Sequence, residues 1–305
     1  MVNNLVQNTV IYEPDKHYNG LAEIENATLR VLSLGAGVQS SVLALMAAKG
    51  LVTKPDVAIF ADTQWEPQSV YDHLQWLKEE VGDAFPIYTV TLGDIRAKTL
   101  QTTITNKGFV PSIPVFIDSP IDDVSDKAGA MQSRQCTANY KIVPIQKKVR
   151  ELLGLKFRQR VKEGTVVENM QGISLDEIYR MKASRISWMP SRYPLIEMKM
   201  SRWDCQVWFE KNYPGQPLQK SACIGCPYKN DRDWKNMKEN DPVSWADLVD
   251  FDHSLRNGNR NAFGAKFPVY VHRSMKPIDE IDFSDDDSGQ LDLFSAEECE
   301  GMCGV

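Results

Sequence analysis

Short apolar runs alternate with helical patterns in the N-terminal half of the chain. Four of the runs have the length of buried strands, at residues 29–33, 57–60, 87–90 and 165–168. The patterns at residues 41–48 and 67–81 favour helices between the first three runs. Strands and helices that alternate in this way are typical of a parallel sheet with helices on both faces.

The pattern changes in the C-terminal part of the chain. Helical patterns dominate there, at residues 202–211, 231–239 and 243–256. Prolines and a glycine interrupt residues 106–130, which predicts a long excursion over the sheet edge. We expect an α/β fold, a Rossmann-like parallel sheet flanked by helices, with a mainly helical C-terminal lobe.

These patterns divide the chain into four segments. They are a polar leader at residues 1–28, a nucleotide-binding α/β domain at residues 29–200, a helical lobe with a C-x-x-C motif at residues 201–275, and an acidic tail at residues 276–305. The leader lacks periodicity, so we expect it to lie over the core or to pair with a partner.

The composition is that of an ordinary globular protein, with 42% hydrophobic and 25% charged residues in a chain of 305. The longest apolar run, residues 42–48, is far shorter than the roughly 20 residues that span a bilayer. We therefore expect a cytoplasmic protein without membrane association. In that reducing compartment, the six cysteines are expected to be ligands or catalytic groups rather than disulfides.

The charge distribution is uneven around a net charge of -6. Residues 141–162 contain eight basic side chains and one acid, whereas residues 276–300 contain ten acids and one base. The basic run is either a solvated helix face or a surface for phosphate or polynucleotide. We interpret the acidic run as a segment that tethers the C-terminal tail to the rest of the chain.

The segment that joins the first predicted strand to the first predicted helix is rich in small residues. Such a loop lets backbone N–H groups approach phosphate oxygens, and the helix dipole favours negative charge there. Its candidate nucleotide-binding residues are Ser33, Gly35, Ala36, Gly37, Gln39 and Ser40. The loop matches neither the P-loop nor the dinucleotide fingerprint. The alternative interpretation is a tight strand-to-helix turn without a ligand.

Asp62 and Thr63 follow the second predicted strand, at the carboxyl edge where open α/β sheets bind ligands. Asp62 is a candidate to hold a ribose hydroxyl, a base edge or Mg²⁺. The alternative is that it caps the helix that begins near Pro67.

Three cysteines form the candidate metal site: Cys136, and the pair Cys223 and Cys226 of the C-x-x-C motif. Thiolates bind iron-sulfur clusters and zinc well. We expect an iron-sulfur cluster, of the 4Fe-4S type, with zinc as the second choice; a structural zinc or buried thiols are the alternatives. Cys205, on a predicted helix, is expected in the core.

The ordered set of motifs resembles the phosphoadenosine phosphosulfate reductase family of the PP-loop ATP pyrophosphatase superfamily, whose fold is called adenine nucleotide alpha hydrolase-like. The resemblance covers roughly residues 29–230. It is carried by residues 33–41, by Asp62-Thr63 with Tyr71, by Cys136-Thr137 with Lys141, by Gly172-Ile173 before Asp176-Glu177, and by residues 194–196 before Trp203.

The resemblance implies an adenine nucleotide (ATP, or adenosine or phosphoadenosine phosphosulfate) along residues 33–41, with Asp62 and Gly172 nearby. Two positions depart from the family pattern. Gln39 replaces the Asp of the superfamily's pyrophosphatase loop, and a neutral amide holds Mg²⁺ less well than a carboxylate does, which argues against ATP hydrolysis. Ser174 stands where the family carries an Arg, and Arg180, Arg185 or Arg192 is a candidate substitute.

The tail resembles the E-C-G ending of sulfonucleotide reductases, which implies that Cys299 is the nucleophile and Cys303 the resolving thiol. Alternatively, one of the two completes the metal site, or neither has a role. The candidate phosphate or nucleic-acid contacts are Arg134, Lys141, Arg158, Arg160 and Arg180.

We therefore expect an enzyme of sulfur metabolism that resembles the sulfonucleotide reductases, reduces an adenylyl sulfate to sulfite, and uses a thioredoxin-like or other thiol reductant. The first alternative is a sulfurtransferase that thiolates tRNA or DNA with ATP and an open-site iron-sulfur cluster. This resembles the PP-loop tRNA thiolases, and three thiolates favour it, whereas Gln39 favours the reductase. The second alternative is a nucleotide-binding protein without catalysis.

Overall fold

The computed structural model of the chain describes residues 8–102, 113–118, 131, 134–257 and 268–283. The strands, in chain order, are β1 (Thr9–Val10), β2 (Glu23–Ile24), β3 (Leu29–Leu34), β4 (Val57–Asp62), β5 (Ile87–Thr91), β6 (Phe116–Ile117), β7 (Val167–Gln171), β8 (Ser191–Arg192) and β9 (Val269–Tyr270). The helices are α1 (Val38–Ala48), α2 (Gln68–Val81), α3 (Ile95–Thr102), α4 (Val143–Leu152), α5 (Pro194–Glu197), α6 (Arg202–Asn212), α7 (Asp231–Asn240) and α8 (Pro242–Asn257). A π-helical segment, Thr137–Ile142, precedes α4, and a 3-10 helix, Leu175–Arg180, follows β7.

A central sheet of five parallel strands in the order β5-β4-β3-β7-β8 confirms the expected α/β architecture. The chain first builds outward from β3 to β5 and then adds β7 and β8 on the other side of β3. The strand order therefore reverses between β3 and β7. In open parallel sheets, the crevice at the carboxyl ends of the strands beside such a reversal is the usual ligand site.

Alternate residues of the strands enter two different hydrophobic clusters, which explains why these runs form buried strands. In β3, Leu32 and Leu34 pack with α1 and α2, whereas Val31 packs on the opposite face with α4. In β4, Phe60 packs on the same face as Leu32 and Leu34, and Ile59 packs on the face of Val31. Because side chains alternate between the faces of a strand, helices on both sides favour apolar residues at most positions of these runs.

A third hydrophobic cluster lies in the C-terminal lobe, around Trp234 of α7 and Phe251 of α8. Trp65 from the loop after β4 and Tyr140 from the π-helical segment enter the same cluster. The lobe is therefore packed directly against the segment that follows β4. The predicted helices of this lobe are confirmed within two residues at each end.

The described part of the leader lies on the sheet. β1 and β2 pair in parallel, and the N–H of Ile24 donates to Glu168 of β7 at 2.6 Å. Tyr12 donates its hydroxyl to the carbonyl of Ser187. These hydrogen bonds hold residues 8–28 over the edge of the core.

Candidate functional site

The turn between β3 and α1 lies at the point where the strand order reverses. Ala36 has φ +56°, a left-handed conformation that is unfavourable for alanine, and it is completely buried. The N–H of Gly35 donates to the hydroxyl of Ser40 at 3.2 Å, which closes the turn onto the first residues of α1. A left-handed residue in front of a helix N-terminus directs backbone N–H groups into one concave site, a geometry that binds anions.

Gly172 brings the end of β7 into direct contact with this turn. A Cβ at Gly172 would lie 2.7 Å from the Cα and 2.8 Å from the backbone nitrogen of Ser40. Atoms in proteins do not approach so closely, and therefore the position accepts only glycine without a backbone shift. The candidate nucleotide residues of β3, α1 and β7 thus belong to one site.

Gln39 and Ser174, the two departures from the family pattern, contact each other. The amide of Gln39 donates to the hydroxyl of Ser174 at 3.3 Å and to the carboxylate of Glu177 at 2.9 Å. The other carboxylate oxygen of Glu177 accepts from Arg180 at 2.6 Å. Gln39 is completely buried, and its carbonyl oxygen has no hydrogen-bond partner among the described residues.

Asp62, the last residue of β4, is held by its own loop. Its carboxylate accepts from the N–H of Gln64 at 2.7 Å and from the hydroxyl of Tyr71 at 2.9 Å. Burial and the neighbouring Asp62 carboxylate raise the pKa of Tyr71, so the phenol remains a donor at neutral pH. α2 begins at Gln68, and Pro67 precedes it without a side-chain cap. The carboxylate of Asp62 thus stabilises the loop that follows β4 at the carboxyl edge of the sheet.

Thr63 joins this edge to the C-x-x-C motif. Its hydroxyl lies 3.2 Å from the thiol of Cys223 and donates to a carboxylate oxygen of Glu66 at 3.0 Å. The thiol of Cys223 donates to the same oxygen of Glu66 at 3.2 Å. The hydroxyl, carboxylate and thiol form a closed triangle, in which the carboxylate accepts a hydrogen bond from Cys223 and orients its thiol. Thr63 and Glu66 are both buried.

The C-x-x-C turn packs tightly on the loop after β4. The N–H of Ile224 donates to the carbonyl of Trp65 at 2.8 Å, and a Cβ at Gly225 would lie 2.3 Å from the ring of Trp65. The N–H of Cys226 donates to the carbonyl of Cys223 at 3.1 Å, and the ammonium of Lys229 donates to the same carbonyl. These contacts fix the turn against the carboxyl edge of the sheet.

The three candidate metal ligands are in this region, and all three are partly buried. Cys136 precedes the π-helical segment and packs, like Cys223, against the hydrophobic cluster of the lobe. Within the described part of the chain, however, no group of three or more Cys, His, Asp or Glu side chains is arranged to hold a metal ion. Cys205 is completely buried in the core.

Three buried polar atoms beside these cysteines lack a hydrogen-bond partner among the described residues. They are the second carboxylate oxygen of Glu66 and the hydroxyls of Thr137 and Ser221. Thr137 follows Cys136 in the chain, Ser221 precedes Cys223 by two residues, and Glu66 contacts Cys223. A buried polar atom without a partner is costly, and such atoms mark places where a water, an ion or a cofactor binds.

A cationic cavity of about 230 Å³ opens beside the carboxyl ends of β7 and β8. Gln171 and Ser191, which hydrogen-bond to each other at 2.9 Å, line it, and so do Arg180, Lys182 and Arg185. Arg180 extends from the Gln39 and Glu177 contacts into this wall. None of the described residues that line the cavity is acidic, and the cavity is suited to a phosphate or sulfate group.

A larger groove of about 810 Å³ lies on the other side of the cysteines. Cys226, the N-terminus of α2 and one face of α7 line it. Its cations are Lys220, Lys229 and Arg232. Lys220 is paired with Asp233 at 3.1 Å. The groove gives solvent access to the Cys226 side of the C-x-x-C turn.

The remaining predicted phosphate contacts lie in different places. Arg134 lies 4.8 Å over the ring of Tyr228, which lines the groove, and Lys141 is buried in the π-helical segment. Arg158 and Arg160 lie between α4 and β7, at the amino end of β7. A strand of this length spans about 16 Å, so these two arginines are at the opposite edge of the sheet from the turn after β3.

Arg192 is not a phosphate contact, contrary to our suggestion from the sequence. It is 1% exposed and donates to Glu168 at 3.0 Å and to Glu197 at 2.8 and 2.9 Å. Although burial disfavours the charged guanidinium, the hydrogen bonds that Arg192 donates to Glu197 and the negative charge of Glu168 raise the pKa of Arg192. The guanidinium of Arg192 therefore forms structural ion pairs with Glu168 and Glu197. Cys299 and Cys303, the predicted nucleophile and resolving thiol, lie outside the described residues.

Glu66 was not named from the sequence as a site residue, and Glu177 was named only as part of a motif, with no role in the site. Glu66 follows Thr63 by three residues in front of α2, a spacing that is typical of a capping box. This spacing gives no indication of the contact between Glu66 and Cys223. Glu177 precedes Arg180 by three residues, which is a common helical ion-pair spacing and gave no sign of the contact with Gln39.

No protein-family model and no curated protein matches the chain significantly. Among the described helices, none has the length and apolar character needed to cross a bilayer.

Proposed function

We propose that the protein catalyses adenine-nucleotide-dependent sulfur chemistry of the sulfonucleotide reductase type, in which an adenylyl sulfate is reduced to sulfite. The observation that carries the proposal is the 3.2 Å contact between Thr63, at the carboxyl edge of the sheet, and the thiol of Cys223. It joins a nucleotide-type crevice to the cysteine motif, although 160 residues separate them. A reducing compartment such as the cytoplasm suits this chemistry.

The turn after β3 and the cationic cavity supply complementary parts of the substrate site in this proposal. The left-handed turn at Ala36 and the N-terminus of α1 bind one anionic group of the nucleotide. Arg180, Lys182 and Arg185 bind the second anionic end, a sulfate or a further phosphate. Asp62, held by Tyr71, binds a ribose hydroxyl or the base edge.

The chemistry of this reaction balances over two thiols. A thiolate of the chain attacks the sulfur of the adenylyl sulfate, the bond between that sulfur and the phosphate oxygen breaks, and the adenine nucleotide leaves with the electron pair. A second thiolate then attacks the Sγ of the resulting S-sulfo cysteine, the bond between Sγ and the sulfonate sulfur breaks, sulfite leaves with the electron pair, and a disulfide forms. Two electrons pass from the two thiols to the sulfate sulfur, and a thioredoxin-like or other dithiol restores them. Cys299 is proposed as the nucleophile and Cys303 as the resolving thiol.

An iron-sulfur cluster on Cys136, Cys223 and Cys226 is part of the proposal. The donor set of three partly buried sulfurs and the unpartnered polar atoms of Glu66, Thr137 and Ser221 support it, although the described side chains do not form a ligating group as they stand. When bound, such a cluster would supply a redox-active centre whose potential its surroundings set. The chain's own contribution is the triangle of Thr63, Glu66 and Cys223, which orients the thiol through hydrogen bonds.

Thiolation of tRNA or DNA with ATP is the second candidate function. The observation that favours it is the number of sulfur donors in this region, since three ligands leave one metal position open. Two observations favour the reductase. Gln39 presents a neutral amide where a carboxylate would hold Mg²⁺, and the basic residues Arg158 and Arg160 lie at the sheet edge away from the crevice.

The test is to purify the protein anaerobically and to assay it with both adenylyl sulfates in the presence of a dithiol. The proposal predicts sulfite and one equivalent of adenine nucleotide per turnover. Iron, sulfide and zinc analysis of the same sample assigns the metal. Cys299→Ser and Cys303→Ser should each abolish steady-state sulfite release, whereas Cys205→Ser should retain it. AMP formation from ATP that requires tRNA or DNA, without sulfite release, would replace the reductase by the thiolation enzyme.

A further inference from the structure

The loop between α4 and β7, residues 154–164, has no part in the proposed reaction. It begins and ends at glycines with positive φ, Gly154 at +69° and Gly164 at +78°. It lies at the amino end of β7 and therefore at the sheet edge opposite the candidate site. Any ligand of this loop binds away from the nucleotide crevice.

Phe157 lies at the tip of this loop and is 90% exposed. The loop holds it there through several contacts. The N–H of Lys156 donates to the side-chain oxygen of Gln159 at 2.9 Å, and the N–H of Gln159 donates to the carbonyl of Lys156 at 3.0 Å. Arg150 donates to the carbonyl of Gln159. A phenylalanine gains about 2 kcal/mol when it is buried, so a turn that presents it to water favours binding of a partner at this position.

The surroundings of Phe157 are strongly basic, although the chain as a whole carries a net charge of -6. Residues 147–163 include seven cations and only two acids, Glu151 and Glu163. Glu151 is paired with Lys148 at 2.7 Å. The four cations of the loop are exposed: Lys156, Arg158, Arg160 and Lys162. The guanidinium of Arg158 lies 5.1 Å over the ring of Phe157.

We propose that this surface binds single-stranded nucleic acid, with a base stacked on Phe157 and phosphates contacted by the four cations of the loop. An aromatic side chain beside arginines is the arrangement that binds unpaired bases, because stacking needs a free base face and the cations neutralise the backbone. Duplex DNA offers the phosphates without the free face. A lipid surface is less suited to this loop, since Phe157 is a single apolar side chain rather than an amphipathic helix face. This binding is an additional activity and does not depend on the chemistry proposed above.

Fluorescence anisotropy with labelled 20-nucleotide thymidine and uridine oligomers tests the proposal, from about 50 to 200 mM salt. The wild-type protein should bind both, and log K should fall linearly with log salt, by about 0.7 for each phosphate contact. Phe157→Ala should weaken binding about tenfold without changing the salt slope, because it removes stacking and no charge. The double variant Arg160→Gln with Lys162→Gln should reduce the slope by about 1.4.

Matched controls are available elsewhere on the surface. Val243→Ala removes an apolar side chain that is 80% exposed, and Lys211→Gln with Lys276→Gln removes two exposed cations. Both controls should bind the oligomers as the wild type does. The proposal is overturned if the wild type does not bind the oligomers, if Phe157→Ala binds as well as the wild type, or if a duplex of equal length binds as tightly. Binding to phosphatidylserine vesicles without binding to the oligomers would also overturn it.

Discussion

The hydroxyl of Thr63 lies 3.2 Å from the thiol of Cys223, and both groups share one carboxylate oxygen of Glu66. The contact joins the end of β4 to a motif in the C-terminal lobe. It places a cysteine thiol at the carboxyl edge of a parallel sheet, where open α/β folds bind ligands. The proposed function depends on this relationship more than on any single motif.

Comparison of Thr63→Val with Thr63→Ser distinguishes the effect of the Thr63 hydroxyl from the effect of its side-chain volume. Valine keeps the shape of threonine but removes the donor to Glu66, so a buried carboxylate loses a hydrogen bond at a cost of about 1–2 kcal/mol. We expect Thr63→Val to lower kcat/KM for sulfite release at least tenfold and Thr63→Ser to remain within about twofold of the wild type. Equal activity of the three proteins would contradict a role for the hydroxyl.

Gly172→Ala tests the contact between β7 and the turn after β3. The new Cβ would lie 2.7 Å from Ser40, so the turn must shift, and we expect adenine nucleotide to bind at least tenfold more weakly by titration calorimetry. Gly50→Ala is the matched control, because φ is +72° and no atom lies within 4 Å. It should cost about 1 kcal/mol of stability and leave the nucleotide affinity unchanged. An unchanged affinity in Gly172→Ala would remove this turn from the nucleotide site.

The fold was largely predictable from the sequence because β3 and β4 are covered on both faces and therefore appear as mainly apolar runs, whereas β5, at the sheet edge, is only partly buried. β7 was predicted two residues too early, since its apolar start continues into polar residues such as Asn169 and Gln171. β8 was not predicted. It consists of Ser191 and Arg192, and its burial depends on partners distant in the sequence, Gln171 and Glu168.

Gly172 was named from the sequence, and the structure shows why glycine is required there, since a Cβ would lie 2.7 Å from the Cα of Ser40. The side-chain contacts were not predictable, because they join residues far apart in the sequence. Gln39 reaches Glu177 across 138 positions, and Cys223 reaches Glu66 across 157. A single sequence contains no signal for such pairs.

Gln39→Glu tests whether the amide of Gln39 is needed beside Glu177. The substitution places two carboxylates face to face in a buried position, at the 2.9 Å distance of the present hydrogen bond. We expect a loss of about 2–4 kcal/mol in urea unfolding at pH 7.5. The loss should be smaller at pH 5, where the coupled pair retains a proton.

Gln75→Glu is the control for this substitution, because Gln75 donates to Glu79 at 2.7 Å on an exposed face of α2. There the same change should cost no more than about 0.5 kcal/mol. If Gln39→Glu is as stable as this control, the Gln39 amide does not determine the electrostatics of the site.

His73 predicts a pH dependence of stability. It is 3% exposed, contacts the hydroxyl of Ser41 at 2.9 Å, and burial lowers the pKa of His73 from 6.5 to about 4. The unfolded chain therefore binds more protons than the folded protein between these values. The stabilisation is complete above pH 6.5 and is lost as the pH falls towards 4, by about 2 kcal/mol at pH 5.

The difference between urea unfolding at pH 7.5 and at pH 5 measures this effect. His73→Gln should remove about 2 kcal/mol of that difference, whereas His17→Gln, at an exposed histidine, should preserve it. A variant at His73 that loses as much stability on acidification as the wild type would show that this side chain is not the responsible group.

The most direct test of whether the nucleotide binds beside Cys223 is the rate at which this cysteine is alkylated in metal-free protein. The rate is followed by mass spectrometry with and without adenine nucleotide. If the nucleotide lies at the carboxyl edge beside Thr63, saturating adenylyl sulfate should slow the labelling of Cys223 at least fivefold and leave the rate at the buried Cys205 unchanged. An equal rate at Cys223 with and without bound nucleotide would show that the nucleotide and the sulfur do not share one site.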